Sequence, residues 1–563
     1  MTWRAAFAGL LLALAGCTAP TARLPSSVAP AAIEVQILAF NDFHGNLETP
    51  APVEMAVSDG SKRRILTGGA AQLAGALEAL RAGQANSVTV SAGDTIGATP
   101  LISAYFLDEP TIEVMNGFGV EYNAVGNHEF DRGVDELKRM QNGGCAKFTR
   151  RVPCAVEPFA GARFQYLAAN VLGPDGNSVF PATAIKVFGS GASAVRIGFI
   201  GMTLENTRHL VTPSGVKGLT FADEAETANA LVPKLKAQGA DAIVLLLHQG
   251  GKLPQFTSGN SCEGLSGGIL PILDRLDPAI ATIVSGHTHW AYVCKQKFGG
   301  AERLLTSAGK NGYFVSDLRL KFDPADRRLI AQNATNVIVG TSVQNPRVRE
   351  LVELYAAAAK PVGERVIGTL SAAAARDEND GESPAANLIA DATLDATRAA
   401  DKGGAQIALV NATGVRVGLP AGPVRYSQAF SMMPFGNNLV VMTLTGAQLK
   451  AALEQEFGAE NIAAAKRVAV LAPSAGFTYQ VDLARAGGDR IVAMSLTGKP
   501  IDPATNYRVA VNNYVASGGD GLTVFTGGTD VTDKGIVDID ALVAWIAPGR
   551  TPPLPDRVNL TRR

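Results

Sequence analysis

From Ile33 onward the chain alternates two patterns. Short runs rich in β-branched and aliphatic residues, IEVQILAF, SVTVS, VEYNAV, DAIVLLL and IATIVS, each end abruptly in a polar cluster. Apolar runs of this length, bounded by turn-forming residues, predict strands. Between them lie GGAAQLAGALEALRAG and EAETANALVPKLKAQG, whose apolar spacing predicts helices, so strands alternate with helices as in an α/β architecture. Loops at strand ends are where such a scaffold gathers functional side chains. The stretch VRELVELYAAAAKPVGERV predicts one helix stopped by Pro361 and Gly363, and a linker is placed over residues 341–363. A second domain, 364–556, follows the first, 32–340. It carries a predicted helix in ESPAANLIADATLDATRAA, strands in IALVNA and LVVMTLTG, a helix in AQLKAALEQEF and a late NNYVASGGDGLTVF. No tandem repeat or extended low-complexity tract interrupts it.

Composition agrees with two globular units: 563 residues, 47% hydrophobic and 18% charged, are too many for one core and too apolar for disorder. The net charge is -1 and no long Lys or Arg run occurs, so nothing calls for nucleic acid as a partner. The N-terminus MTWRAAFAGLLLALAGCTAP has one Arg and an apolar stretch too short to span a bilayer, which reads as an export signal over residues 1–16. LAGC resembles a bacterial lipobox, making Cys17 the expected lipidated residue. Residues 17–31 then form a tether, and the expected location is a lipid-anchored protein of the outer membrane, facing the periplasm or the cell surface. An ordinary cleaved signal is the alternative.

In an exported chain the other four cysteines can hold disulfides. Three pairings are possible; Cys145 with Cys154 and Cys262 with Cys294 are favoured because each closes a local loop. The absence of a CxxC spacing argues against a zinc ribbon.

The polar clusters contain Asp42 and His44; Asp94; Asn127, His128 and Asp131; His248; and His287 with His289. Five of the six histidines stand there, and only His209 lies elsewhere. A lone histidine is usually an ordinary core or surface residue, but five at the ends of separate apolar runs point to a shared metal site. Imidazoles mixed with carboxylates suit two divalent cations of Zn, Mn, Fe or Co, whereas Mg or Ca favours an all-oxygen shell. A pair of cations needs a bridging carboxylate, and Asp94 is isolated in SAGDT.

DxH, GD, GNHEFD, a histidine after a strand, and GHTH, in this order, resemble the calcineurin-type metallophosphoesterases. NATGVR, PFGN and NNYVASGGDG resemble the nucleotide-binding domain of the 5'-nucleotidase family, so the likeness covers essentially the whole mature chain. It implies a four-layer α/β/β/α sandwich followed by an α+β nucleotide-binding domain. It also implies one metal on Asp42, His44, Asp94 and His289, and the other on Asp94, Asn127, His248 and His287. His128 is then implied as the group contacting the phosphoryl oxygen, with Asp131 orienting its ring.

In the second domain the resemblance implies that Phe435 and Tyr514 sandwich a nucleobase. Asn411 and Arg416 contact base, ribose or phosphate, Asn437 assists at the base, and Asp520 accepts from the ribose hydroxyls. Three departures stand out: Gly381 where an Arg is common, NATGVR for NGGGIR, and Tyr514 for Phe.

The expected activity is release of phosphate from nucleoside 5'-monophosphates by a monomeric enzyme. Alternatives are a 2',3'-cyclic-nucleotide phosphodiesterase with 3'-nucleotidase activity, a UDP-sugar or dinucleotide pyrophosphohydrolase and, more distantly, a thiosulfohydrolase. A non-catalytic nucleotide-binding lipoprotein is a further alternative. It is disfavoured because all seven ligand positions and both dyad positions keep the family's residue.

Overall fold

In the computed structural model, which describes residues 1–2, 32–56, 61–211, 213–377, 381–458 and 469–561, the apolar runs become strands whose two faces serve different cores. Along Ile33–Phe40, Val35, Ile37 and Ala39 point into a core between two sheets, while Leu38 and Phe40 pack under helices on the outer side. Ala242–Leu247 does the same, sending Val244 and Leu246 inward and Ile243, Leu245 and Leu247 outward. A period of two with both phases apolar is what a strand covered on both faces requires.

The first sheet has six strands in the order Leu329–Ile338, Phe314–Phe322, Ile33–Phe40, Ser87–Ser91, Val120–Ala124 and Gln165–Leu167. The second, also of six, runs Ala291–Phe298, Ala301–Ala308, Ile280–Ser285, Ala242–Leu247, Val195–Met202 and Thr183–Phe188. Helices Ala70–Arg81, Glu109–Phe118 and Pro346–Gly363 cover the first sheet, and Glu224–Ala237 and Ile269–Arg275 cover the second. This is the expected α/β/β/α sandwich. Ile33–Phe40, Ser87–Ser91 and Val120–Ala124 are mutually parallel, as are Val195–Met202, Ala242–Leu247 and Ile280–Ser285. Their carboxyl ends therefore open on one edge of the sandwich.

After Val366 the chain forms an α+β unit. Its five-stranded sheet is ordered Leu471–Pro473, Ile407–Asn411, Asn506–Asn512, Asn438–Thr445 and Thr529–Val537, and a four-stranded sheet lies beside it. Helix starts follow local chemistry. The Ser383 hydroxyl accepts from the Ala386 N–H ahead of Pro384–Thr397, and Thr445 with Gln448 forms a capping box ahead of Gly446–Glu456. The linker helix runs on through Pro361 to Gly363. Pro361 does not stop it, because in the last turn a missing N–H forfeits one hydrogen bond and leaves few beyond it to disturb.

The cysteines pair as Cys145–Cys154 and Cys262–Cys294. Cys17, the expected signal and its tether lie outside the described residues. Among the described residues no helix is long and apolar enough to cross a membrane.

Candidate active site

Each histidine or carboxylate cluster sits just past the end of a parallel strand, where the backbone must turn sharply. Asp42, His44, Asp94, His287 and His289 all adopt positive φ, between 46° and 69°. This left-handed conformation is uncommon outside glycine, although Asp and His tolerate it better than most residues. Here it turns five side chains back toward one point.

The side chains form two abutting groups. In each of Asp42, His44, His289 and Asp94, His248, His287 the donor atoms lie within 4.8 Å of one another. Asp94 joins the groups, its Oδ2 lying 3.0 Å from His248 Nε2 and 3.9 Å from His44 Nε2. Asn127 Oδ1 lies 3.1 Å from both His248 Nε2 and His287 Nδ1. The structure thus brings together all seven residues that the sequence nominates as ligands.

The donor set fits divalent cations. His44 Nδ1 lies 3.0 Å from the Gly97 carbonyl and His248 Nδ1 lies 2.7 Å from that of Ala92, so Nδ1 carries the proton and Nε2 keeps a lone pair for the centre. His44 Nε2 lies 3.1 Å from His289 Nε2, a spacing at which both nitrogens could ligate one cation. Burial depresses His44 and His287 to about 3, leaving both rings neutral and able to ligate. At His248 burial is outweighed by Asp94 and Asp42, which raise it to about 10, so that a cation there would have to displace the proton its Nε2 shares with Asp94.

His128 stands beside this cluster with Nδ1 at 2.9 Å from Asp131 Oδ2. Burial opposes charge on its ring, but Asp131 and Asp94 outweigh that and raise its pKa above the ordinary value. The ring plane is further fixed by Phe435, stacked at 6.2 Å and 14°. The imidazole of His209 takes no part in either group, but its backbone carbonyl lies 2.9 Å from the Tyr514 hydroxyl, a contact between the two domains in which it competes with Asp520 Oδ1, at 2.7 Å, for the one hydroxyl proton.

One cavity of about 1580 Å³ joins the domains. The first domain contributes Asp94, Asn127, His128, Asp131, His287 and His289; the second contributes Asn411, Arg416, Phe435, Asn437, Tyr514 and Asp520. The Arg416 guanidinium lies over the Phe435 ring at 5.8 Å. Asn411 is less available than its motif implies, because its amide N–H groups are directed to Thr413 Oγ1 and Asp520 Oδ2. Gly381 brings no guanidinium, whereas Arg376 lines the cavity.

Several supporting residues escaped the sequence reading. Glu129, 2% exposed, accepts from the N–H groups of Asp94, Thr95 and Gly126 and so ties two ligand loops together. Asn41 donates to Asp42 Oδ2 at 2.6 Å and to the Gly309 carbonyl at 2.8 Å. Their only signal was position, inside GNHEFD and NDFHGN.

Residues 35–291 match the calcineurin-like phosphoesterase family, and residues 366–527 match the 5'-nucleotidase C-terminal domain. The chain belongs to the 5'-nucleotidase family of metallophosphoesterases. The 5'-nucleotidase precursor of Thermus thermophilus is similar in structure, with a TM-score of 0.73 and 27% identity over 94% of this chain and 100% of that one. A Treponema pallidum (strain Nichols) relative named as a probable 5'-nucleotidase is 26% identical over 94% of this chain and 92% of its own length. The endonuclease YhcR of Bacillus subtilis (strain 168) is 30% identical over 86% of this chain, which spans only 37% of that longer protein. Membership of this 5'-nucleotidase family makes the chain an enzyme of the phosphoesterase class and implies divalent metals at the cluster just described.

Proposed function

We propose that this protein is an exported, two-metal phosphohydrolase that releases phosphate from nucleoside 5'-monophosphates. The observation that carries the reading is the shared cavity, with the histidine cluster on one wall and Phe435, Tyr514 and Asp520 on the other. Asp42, His44, Asp94 and His289 hold one cation, and Asp94, Asn127, His248 and His287 hold the other. When bound, such a pair supplies Lewis acidity to the phosphoryl group and makes water a competent nucleophile near neutral pH. His128, its Nδ1 occupied by Asp131, presents Nε2 to a phosphoryl oxygen and stabilises the charge that builds there. The second-domain aromatics bind the base, so that binding energy places the phosphate at the cluster.

A phosphate-release panel of AMP, UMP, 3'-AMP, 2',3'-cyclic AMP, ATP and UDP-glucose tests this. The 5'-monophosphates are expected to lead, and p-nitrophenyl phosphate turning over as well as any nucleotide would overturn it. The cavity exceeds the roughly 300–1,000 Å³ usual for small-molecule sites, which favours a sugar nucleotide or dinucleotide as the second reading.

Tyr514→Ala is expected to lower kcat/KM for the best nucleotide by about 5- to 150-fold, the worth of one stacked base. For p-nitrophenyl phosphate, which has no base, the loss is smaller. Equal losses on both substrates would mean that Tyr514 only holds the domains together.

Export and lipid attachment at Cys17 are supported by the LAGC sequence after a short apolar segment. Cys17→Ser is expected to move the protein from the membrane to the soluble fraction at unchanged specific activity. Fractionation followed by a phosphatase assay checks it.

A further inference from the structure

Phe435 and Arg416 owe their places on the cavity wall to one short helix of the second domain. Tyr426–Met432 runs directly into the turn that carries Phe435, and the carbonyl of its last residue, Met432, accepts the Arg416 N–H at 3.0 Å. A side chain of the first domain grips this helix. The Arg151 guanidinium lies over the buried Phe430 ring at 5.6 Å and over the first-domain ring of Tyr105 at 4.9 Å, so a single cation joins aromatic rings of both domains. Beside that contact, the first-domain residues Leu101 and Ala104 pack into the second domain's core.

Arg151 is itself firmly mounted. It belongs to the segment from Cys145 to Cys154, which the disulfide closes into a loop. Both ends of that loop rest on one ion pair: Glu109 accepts the Cys154 N–H at 2.9 Å, and Arg139, 2.7 Å from Glu109, donates to the Gly144 carbonyl at 2.9 Å. Glu109 is 1% exposed and Arg139 2%, and moving either partner would leave the other charge buried and uncompensated. The root of the loop is therefore fixed. Its tip reaches the second domain through Arg151 and, at 3.4 Å, from Arg150 to the Gly535 carbonyl.

We infer that Arg151 is a positioning residue: by gripping Phe430 against Tyr105 it holds the wall that carries Phe435 and Arg416 in place opposite the metal cluster. The inference rests on the nucleotide reading proposed above and adds a residue to it. Among the described residues that line the cavity none comes from this loop, so Arg151 acts on the substrate only through the helix it holds. A substrate without a base is indifferent to that helix.

The test is kcat/KM of the metal-loaded full chain for AMP and p-nitrophenyl phosphate in the wild type, Arg151→Ala, Arg151→Lys, Phe435→Ala and the Arg151→Ala, Phe435→Ala double variant. The ratio of AMP to p-nitrophenyl phosphate within one preparation cancels any loss of correctly folded protein. In Arg151→Ala this ratio is expected to fall about 5- to 30-fold, the worth of two cation–π contacts, and in Arg151→Lys, which keeps a cation between the rings, to recover part of that loss. In the Phe435→Ala background, where the wall has lost the ring it presents, adding Arg151→Ala is expected to lower the ratio by no more than about twofold. An unchanged ratio in Arg151→Ala overturns the inference, as does an equal loss in both backgrounds, which would mean that Arg151 acts independently of the wall. Failure of the underlying reading looks different: the wild type then turns over AMP no better than p-nitrophenyl phosphate, and the inference falls with it.

Discussion

Replacing Asp94 by alanine is expected to empty the metal site and take phosphate release to background. Asp94 is the carboxylate common to both groups of donors, 3.0 Å from His248 on one side and 3.9 Å from His44 on the other. Its remaining oxygen accepts the His128 backbone N–H at 2.8 Å, so the same substitution also loosens the loop that carries the dyad. No neighbouring carboxylate can take over: Glu129 is committed to backbone N–H groups, and Asp42 is held by Asn41 and by the His287 N–H. Elemental analysis beside a phosphate assay measures both consequences. Full metal content in Asp94→Ala would sink the bridging assignment.

His128→Ala should behave differently. Its ring lies outside both donor groups, so metal content is expected to stay near that of the wild type while kcat falls by about 10²- to 10⁴-fold, the range for a positioned acid–base or electrostatic group. Asp131→Asn should cause a smaller fall of the same kind, since it weakens the orientation and charge of the ring without removing it. The two variants together separate binding from chemistry. If His128→Ala lost its metals as completely as Asp94→Ala, His128 would be a ligand and the dyad assignment would be wrong.

Much of this arrangement was legible in the chain because strands buried on both faces leave an unmistakable apolar run, and the chemistry begins where each run stops. IEVQILAF before NDFHGN and IATIVSG before HTHW announce both the sandwich and the edge on which its ligands meet. The cysteine pairing was legible for a related reason, since loops of 9 and 32 residues are the shortest that the four cysteines can close together. What stayed hidden depends on segments far apart in sequence. Glu129 reaches the backbone of Thr95, 34 residues earlier, and Thr413 reaches Asp520, 107 residues later. Neither carries a periodic or compositional mark, because a side chain that holds a distant loop needs only the right length and polarity. Pro361 misled in the opposite way. Its local signal is strong, but its effect depends on how much helix follows, and here almost none does.

The five left-handed residues at the strand ends have a consequence for descent as well as for catalysis. Each such conformation costs about 1 kcal/mol relative to an ordinary backbone, and glycine or asparagine would relieve it. Asp42, His44, Asp94, His287 and His289 therefore need a functional reason to stay as they are, and the metal site supplies one. A lineage released from the need to hydrolyse anything gains stability by drifting at these very sites. Among homologous sequences these five positions are therefore where loss of turnover is expected to show first, ahead of any change in the nucleotide cavity.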